Sequence, residues 1–289
     1  MKIIKLIFKG VLPYGIVRIL QKRKNKKKPP FFFEFHVVEH CNLNCKGCSH
    51  FSCLADEEYL DKNVFERDCQ RLSVLSKEIS QITINGGEPL LHPEIISFFD
   101  IARKYFSKKT VLRLTTNGIL LPKQTDEFWK ACANYDVHID ISNYPVNVEN
   151  DKIAVFVKKY GVNIAYNYNV KSTDDPKEKL MYKIPMDLDG RQNIVDSYSK
   201  CPHPGCITLR NGKIYRCCTI AHIKFFNKHF GSNLQITEGD WIDIFKVNTI
   251  DEIHKFLSGP FPFCRYCKPL EKRNDVKWAV TKRAIEEWV

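Results

Sequence analysis

The sequence predicts an α/β fold, a partial barrel of β/α units followed by a small subdomain built from a β-hairpin and a helix. Strand-like and helix-like segments alternate from residue 31 to about residue 167, and each strand-like segment has one polar and one apolar face. Alternation at this spacing is typical of βαβ units in a parallel sheet. Within CITLRNGKIYRCC at 206–218, the Asn-Gly pair predicts a type I′ turn and therefore the hairpin.

The strand-like segments are rich in β-branched and aromatic residues. They cover 31–38, 81–85, 111–117, 137–142 and 162–167, and the helix-like segments cover 62–78, 93–106, 124–135 and 150–160. Parallel strands covered by helices on both faces are usually apolar throughout. The polar faces therefore predict a curved sheet around a polar lumen, with the functional site at the carboxyl ends of its strands. Further along the chain, helices are expected at about 249–258 and 275–288, and KSTDDPKEK at 171–179 is expected to be an exposed loop.

The length of 289 residues and the apolar fraction of 44% allow one large α/β domain with a small addition. We expect a basic N-terminal tail at 1–30, the barrel at 31–195 and the small subdomain at 196–289. The pattern changes between the last two parts, where βα alternation gives way to the hairpin.

Most of the net charge of +12 belongs to the tail, because residues 1–30 contain ten Lys or Arg and no acidic residue, which leaves about +2 for the rest. A nucleic-acid-binding enzyme would more often spread basic residues over its active face, so we expect no nucleic acid partner. The tail has no apolar run of the ~20 residues that a membrane span needs. Its mixture of lysines and aliphatic residues suits a helix on an anionic membrane surface, although a disordered solubilising arm is an equal alternative.

The chain contains twelve cysteines. In a small secreted protein this number would predict disulfides, but this chain is long and its N-terminus lacks a signal-peptide cleavage site. We therefore expect a cytoplasmic protein, with possible attachment to the inner membrane face through residues 1–28. Its reduced thiols would bind metal or iron–sulfur clusters.

Three of these cysteines, Cys41, Cys45 and Cys48, form C-x3-C-x2-C directly after the first strand. Zinc sites usually take four ligands, whereas a [4Fe–4S] cluster held by three cysteines leaves one iron open. The motif resembles that of the radical S-adenosylmethionine (SAM) enzymes. Cys53 lies outside the motif and is interpreted as a spare thiol. The family usually has an aromatic or apolar residue where this chain has Gly47, so Phe51 or His50 is considered as a replacement contact for adenine.

Three further segments resemble the same family: GGEP at 86–89, TTNG at 115–118 and ISN at 141–143, each at the end of a successive strand. In the family, the first meets the amino group of SAM, the second its ribose, and a polar residue at the third often contacts it. The resemblance covers residues 33 to about 170 and implies that the α/β fold is a partial (β/α)6 barrel of the radical SAM type. It implies that the SAM contacts are Gly86, Gly87, Glu88, Pro89, Thr116, Asn117, Ser142 and Asn143.

The later cysteines resemble the twitch subdomain, a shortened SPASM domain that binds one auxiliary [4Fe–4S] cluster. The ligands that this resemblance implies are Cys201, Cys217, Cys264 and Cys267. Cys206 could replace Cys201, Cys218 could replace Cys217, and zinc on the same thiolates remains an alternative. Cys69 and Cys132 lie in helix-like segments and are expected to be buried packing residues.

The resemblance implies reductive cleavage of SAM and hydrogen abstraction from a substrate, with an electron donor such as flavodoxin or ferredoxin. An auxiliary cluster would favour a net oxidation, as in a twitch-domain dehydrogenase that acts on an aminocyclitol alcohol. The polar lumen favours a sugar, an aminocyclitol or a surface-polysaccharide intermediate. A peptide maturase and a non-catalytic metal-binding protein are the alternatives.

The candidate substrate contacts or proton acceptors in the lumen are Arg113, His138 and Asp140, although they could equally bond only to one another. DLDGRQN at 187–193 could line the pocket or form an exposed turn.

Overall fold

The computed structural model describes residues 31–76, 79–167, 180–183, 185–201, 206–270 and 275–289. The predictions for the basic tail and for the loop at 171–179 lie outside these ranges. Residues Phe32–Val289 form one compact unit. In the described part of the chain, no helix combines the length and apolar character needed to cross a membrane.

The main sheet has eight strands in the order β5-β4-β3-β2-β1-β7-β8-β9. Parallel ladders join β2 to β3, β3 to β4, β4 to β5 and β1 to β7, and antiparallel ladders join β7 to β8 and β8 to β9. The strands are β1 (Phe31–Val38), β2 (Ile79–Gly86), β3 (Val111–Thr116), β4 (Val137–Ser142), β5 (Asn163–Asn167), β7 (Ile207–Arg210), β8 (Lys213–Tyr215) and β9 (Trp241–Asp243). A second sheet pairs β6 (Leu180–Tyr182) with β10 (Asp275–Lys277) in antiparallel fashion.

Helices fill the crossovers between the first five strands. The helices are α1 (Lys62–Leu75), α2 (Ile95–Tyr105), α3 (Asp126–Asn134), α4 (Asn150–Tyr160), α5 (Ile194–Ser199), α6 (Cys218–Phe230) and α7 (Ile250–Phe256). Capping residues explain several ends: the Asp61 side chain accepts the Asn63 N–H at the start of α1, and Gly161 ends α4 in the left-handed conformation.

The predicted partial barrel is confirmed as a mixed α/β fold whose sheet is mostly parallel. Its apolar face packs against the helices through residues such as Phe33, Phe35 and Ile84, all nearly inaccessible to solvent. The polar face is also enclosed, since Thr83, Asn85 and Asp140 are buried. An open sheet would leave such residues in water, so their burial agrees with a sheet that curves around a polar lumen. The sixth strand next to this set is β7, which pairs with β1 instead of following β5.

The hairpin prediction is also confirmed. Asn211 and Gly212 both have positive φ angles, 49° and 76°, as a type I′ turn requires, and the turn joins β7 to β8 in register Arg210 to Lys213. Cys69 and Cys132 are buried on α1 and α3 as expected.

One expected helix was wrong and another helix was missed. The helix expected at 275–288 is absent: the segment begins with β10 and ends with a short 3-10 turn at Ile285–Glu287. Pairing of this segment with distant strands and loops replaces the local helical bonds. Conversely, α6 was missed because Cys217 stands at its N-cap, where Ser, Thr, Asp or Asn would mark a start. Gly231, in the left-handed conformation at its end, was the available signal.

Candidate functional site

The three cysteines of the C-x3-C-x2-C motif lie in the loop after β1. The Leu43 N–H donates to Cys41 Sγ over 3.3 Å, which folds the first turn of this loop. Burial and the nearby charges of Glu88, Cys48 and Cys45 raise the pKa of the Cys41 thiol far above its usual range. Thiols that repel one another's ionisation are close together, and a bound cation would reverse this effect because metal ligation deprotonates cysteine.

Hydrogen-bond donors surround these sulfur atoms. Trp278 Nε1 donates to Cys45 Sγ over 3.1 Å, and the Tyr144 hydroxyl also bonds to Cys45. Asn117 Nδ2 lies 3.9 Å from Cys41 Sγ. Donors around thiolates are the outer shell that orients iron–sulfur ligands and sets their potential. Three cysteines with this shell fit a [4Fe–4S] cluster with one open iron.

Tyr144 and Trp278 were missed by the sequence reasoning. Tyr144 directly follows the ISN segment at the end of β4, which was the available signal. Trp278 gave none, because it is more than 200 residues away from Cys45 in sequence. An antiparallel bridge between Cys45 and Val280, with Lys46 N–H donating to the Ala279 carbonyl over 2.8 Å, brings it to the cluster loop.

The two glycines of GGEP allow close approach to the chain after β1. A Cβ atom on Gly86 would lie 2.2 Å from the Val38 carbonyl oxygen, and one on Gly87 would lie 2.0 Å from that of His40. The Gly87 and Glu88 N–H groups donate to these same carbonyls over 2.8 and 3.2 Å. In this structure, the missing side chains of these two glycines leave room for the backbone segment that leads into Cys41.

Glu88 joins the GGEP and TTNG segments. Its carboxylate is fully buried and accepts from Thr116 Oγ1 over 2.6 Å, from Asn117 N–H over 2.9 Å and from Leu90 N–H over 3.1 Å. Burial raises its pKa to about 7, although these three donors act in the opposite direction. The carboxylate accepts hydrogen bonds from protein donors, so its position favours a role in holding the GGEP and TTNG segments together.

Asn117 extends this linkage to the cysteine loop. Its Nδ2 donates to Asn42 Oδ1 over 2.7 Å, and its Oδ1 accepts from Ile119 N–H over 3.0 Å. The structure thus brings the cysteine loop, GGEP and TTNG together at one edge of the sheet. Ser142 and Asn143 are partly exposed at the end of β4, the strand next to β3, and Pro89 begins a short 3-10 turn after β2.

The three candidate lumen residues separate into a pair and a single residue. Arg113 Nη1 lies 3.0 Å from Asp140 Oδ2, across the paired strands β3 and β4. His138 is near the amino end of β4, where its Nε2 is 3.8 Å from Asp136 Oδ1 and its side chain is 38% exposed. The position of His138 is away from the strand ends that carry the cysteine and glycine motifs.

Glu34, on the polar face of β1, was not selected from the sequence. Burial and the charge of Cys218 raise the pKa of its carboxyl group to about 7, while His50, Asn85 and Arg113 oppose the shift. A carboxyl group in a polar lumen with a pKa close to neutral pH is suited to proton transfer.

The residues around the last cysteine of the motif explain the departure from the family pattern. Gly47 has a φ angle of 63°, and a Cβ atom there would lie 2.9 Å from the Glu287 carbonyl oxygen. Phe51 is 1% exposed and packs against Phe226 and Trp288, so it is a core residue in this structure and not an exposed contact for adenine. His50 stacks edge-on against His36. Cys53 is buried in the same core as Phe51, in agreement with a packing role.

The predicted auxiliary ligands influence one another's ionisation, as does Cys218. Burial and the charges of Cys218, Cys267 and Cys201 raise the pKa of Cys217. Burial and the charges of Cys264, Cys201 and Cys218 likewise raise that of Cys267. These electrostatic contacts place the thiols in one neighbourhood, and a cluster of iron and sulfide is a larger group for them to hold than a single zinc ion.

Cys206 and Cys218 are neighbours of these thiols. Their side chains bond to each other, and the charges of Glu34, Cys218 and Cys217 add to burial in raising the pKa of Cys206. Cys206 and Cys218 therefore remain alternatives to Cys201 and Cys217 as ligands. DLDGRQN forms a turn in which Asp187 accepts from the Asp189 and Arg191 N–H groups and from Gln192 Nε2.

The fold and the cysteine loop define a class. Residues 36–174 match the family described as Radical SAM superfamily, and the protein therefore contains a radical SAM domain. This family uses a [4Fe–4S] cluster and SAM, in agreement with the three cysteines and the strand-end motifs.

Among individual proteins, GTP 3',8-cyclase of Trichodesmium erythraeum is 30% identical over 106 residues, 35% of this chain and 31% of that protein. GTP 3',8-cyclase of Chlorobaculum tepidum is 35% identical over 95 residues, 33% of this chain and 28% of that protein. The chain thus matches less than a third of the length of either relative. The solved structure of BtrN in complex with AdoMet and 2-DOIA has a TM-score of 0.50 at 14% identity, with 86% of this chain and 100% of BtrN covered. At this identity the likeness concerns the fold alone.

Proposed function

We propose that this protein cleaves SAM reductively at a cluster held by Cys41, Cys45 and Cys48 and abstracts hydrogen from a polar substrate. The observation that carries the proposal is the linkage at the strand ends: Glu88 binds Thr116 and the Asn117 N–H, and Asn117 in turn reaches Asn42 within the cysteine loop. When bound, the cluster supplies the electron that splits SAM into methionine and a deoxyadenosyl radical. The protein's part is to hold and orient the reactants.

For the substrate class we propose a sugar, an aminocyclitol or a surface-polysaccharide intermediate. Arg113 and Asp140 form a charged pair inside the lumen, which suits hydroxyl or amino groups better than an apolar side chain. Part of this charge is accessible, since the Arg113 side chain is 33% exposed. His138 lies toward the other end of β4 and is assigned to the outer part of this surface.

The net reaction that we propose is oxidation of an alcohol. The carbon that carries the hydroxyl group gives a hydrogen atom to the deoxyadenosyl radical. The resulting substrate radical then loses the hydroxyl proton and one electron, so that the alcohol becomes a carbonyl. Glu34, with its pKa of about 7, is placed to accept the proton. A cluster on Cys201, Cys217, Cys264 and Cys267, in a twitch-like part at 196–289, would supply the electron acceptor. A flavodoxin or ferredoxin would reduce the first cluster.

Release of deoxyadenosine and methionine from SAM under anaerobic reducing conditions tests the activity. The wild type and the Cys53→Ser variant should both release them, because Cys53 is a core residue. Cys41→Ala, Cys45→Ala and Cys48→Ala should each abolish release. Loss of activity in Cys53→Ser with activity retained in Cys41→Ala would overturn the assignment, and no release from any form would favour a non-catalytic metal-binding protein.

Iron and sulfide content tests the auxiliary site. Two [4Fe–4S] clusters correspond to about eight iron and eight sulfide per chain. Cys264→Ala should lower both to about four, with SAM cleavage retained. Zinc without the second set of sulfide would contradict an auxiliary cluster. Formation of a carbonyl on a sugar or aminocyclitol, against modification of a peptide or cyclisation of a nucleotide, then separates the substrate classes.

A further inference from the structure

A group of three buried side chains lies beside the cysteine loop and has no part in the function proposed above. His36 and Glu39 are at the end of β1, and His222 is on α6, more than 180 residues later in the chain. His222 is inaccessible to solvent and the other two are at most 6% exposed. Buried polar groups normally find hydrogen-bond partners, so an unsatisfied group of this kind requires an explanation.

The hydrogen bonding fixes which atoms are available. His222 Nδ1 lies 2.8 Å from the Cys218 carbonyl oxygen, which can only accept, so Nδ1 carries the proton. In the neutral ring, Nε2 is then a lone-pair acceptor, and it faces Glu39 Oε2 at 3.4 Å. Neither atom has a hydrogen-bond partner, nor does either ring nitrogen of His36. Two buried acceptors that face each other call for a cation or a shared proton between them.

The distances suit a metal ion. His36 Nδ1 is 3.9 Å from the same Glu39 oxygen, and the three ligand atoms all lie within 4.8 Å of one another. Tetrahedral coordination with metal–ligand distances near 2.1 Å places ligand atoms about 3.4 Å apart. The observed separation between His222 and Glu39 has this value, and a modest side-chain rotation would bring His36 into range.

The surroundings also resemble those of known metal ligands. A ligating histidine typically donates its second N–H to a carbonyl or carboxylate, as His222 does to Cys218. The other oxygen of Glu39 lies 2.6 Å from Arg210 Nη1, which holds the carboxylate and leaves Oε2 directed at the histidines. Arg210 is fixed in turn by Glu58, which also binds Lys224.

A pocket borders His36 and Glu39, whereas His222 is not part of its lining. Its volume is about 250 Å³, and its lining includes His36, Glu39, Glu58, Tyr59 and Arg210 and no cysteine. Tyr59 is 46% exposed, so the pocket wall reaches the protein surface. A metal ion could enter by this route, and a water molecule or a substrate oxygen could approach it from the pocket.

We propose that His36, Glu39 and His222 bind a divalent transition metal ion such as Zn²⁺, separate from the cysteine-held clusters. Two imidazoles and one carboxylate are a common set of protein ligands for zinc and for non-haem iron, with further coordination positions open to water. The site would connect α6 to the end of β1, beside the cysteine loop. The proposal does not depend on SAM cleavage, since it concerns other side chains.

The test uses protein with its iron and sulfide fully loaded under anaerobic conditions, exposed to Zn²⁺ and then desalted. The wild type should retain about one zinc per chain, and His222→Gln and His36→Asn should retain close to none. His229→Gln is the matched control, because His229 is on the same helix but exposed, and it should retain zinc as the wild type does. Equal zinc in the wild type and in His222→Gln would overturn the proposal.

X-ray absorption at the zinc edge gives a second measurement that needs only the wild type and so survives a variant that fails to fold. Nitrogen and oxygen neighbours at about 2.0–2.1 Å are expected, with imidazole scattering beyond them. Sulfur neighbours at about 2.3 Å would place the zinc on cysteines and refute the site. Absence of bound zinc would also refute it and leave a proton shared between Glu39 and His222.

Discussion

At the scale of single residues, Glu88 is a motif residue whose hydrogen-bond partners the sequence did not reveal. Its place in GGEP predicts contact with SAM, yet its carboxylate accepts hydrogen bonds from three protein groups, on Thr116, Asn117 and Leu90. A buried carboxylate that accepts several hydrogen bonds connects the segments that carry the donors. Its removal would leave these buried donors without a partner, which costs free energy.

Glu88→Gln should therefore destabilise the protein by about 1–3 kcal/mol and weaken SAM binding, because the new amide group would turn a donor toward the N–H of Asn117 or Leu90. The measurements are urea unfolding and SAM titration of the reconstituted protein. Glu57→Gln, at an exposed position, is the control and should change neither quantity. Unchanged stability in Glu88→Gln would show that the hydrogen bonds accepted by Glu88 do not stabilise the fold.

Glu34 is the second residue whose environment makes a measurable prediction. Its pKa is raised from 4.5 to about 7 in the folded protein, first by burial, so the folded state binds a proton that the unfolded state releases between these values. The stability contributed by this proton is full below pH 4.5 and is lost as the pH rises through 7. The loss amounts to about 3 kcal/mol.

The wild type should consequently lose about 3 kcal/mol more stability between pH 4.5 and pH 8 than Glu34→Gln does. Unfolding free energies measured across this range provide the comparison. Glu88 titrates in the same window in both proteins, so its contribution cancels. Parallel pH profiles for the two proteins would refute the raised pKa.

At the scale of elements, the extended segment 275–281 replaces the helix that local pattern predicts. Lys46 N–H donates to the Ala279 carbonyl and Thr281 N–H to the Asn44 carbonyl, so the segment pairs with the cysteine loop on both sides of Val280. This pairing delivers the Trp278 N–H to Cys45 Sγ. The element thus contributes to the metal site although it is distant in sequence.

Trp278→Phe keeps the ring and removes the N–H donor. Because an N–H···S bond stabilises the more negative, reduced cluster, the reduction potential should fall. A net hydrogen bond of about 1 kcal/mol corresponds to on the order of 40 mV for one electron. A redox titration followed by electron paramagnetic resonance measures the shift.

Trp241→Phe is the matched control for this prediction. Trp241 begins β9, where Lys213 lies over its ring, and it should leave the potential unchanged. An unchanged potential in Trp278→Phe would show that the indole does not act on the cluster.

At the scale of the whole molecule, a second hydrophobic core connects the two ends of the described chain. Trp288 packs against Phe51 from the cysteine loop and against Phe226 and Phe230 from α6. Its Nε1 donates to the Cys48 carbonyl oxygen over 3.0 Å. The last residues thus hold the cysteine loop against α6, the helix that begins beside the auxiliary cysteines.

Trp288→Ala should destabilise the protein by about 3–5 kcal/mol, the usual cost when a large buried aromatic side chain is removed. It should also speed the loss of iron and sulfide in air, because the cysteine loop loses a support. Urea unfolding and the decay of cluster absorbance measure the two effects. Val74→Ala, at a position 70% exposed on α1, is the control and should behave as the wild type. Faster cluster loss without lower stability would point to a local effect alone.

The sequence predicted the elements that rest on local pattern. The bounds of β1, β4 and α4 agree with the structure, and the I′ turn at Asn211-Gly212 follows from the two positive φ angles that these residues tolerate. It failed for α6, which lacks a conventional N-cap, and for the C-terminal segment, which pairs with β6 and with the cysteine loop, both distant in sequence. Local propensity is weak where long-range contacts decide the conformation.

The candidate site divides in the same way. By itself, the sequence determined the cysteine motif and the polar strand ends, because ligand spacing and the two-residue period of a strand are local properties. Only the tertiary structure decided that Glu88 faces Thr116, that Trp278 reaches Cys45 and that His222 meets His36 and Glu39. These contacts join segments that the order of strands in the sheet and the path of the C-terminal segment bring together. Side-chain partners that are so far apart in the chain cannot be identified from a single sequence.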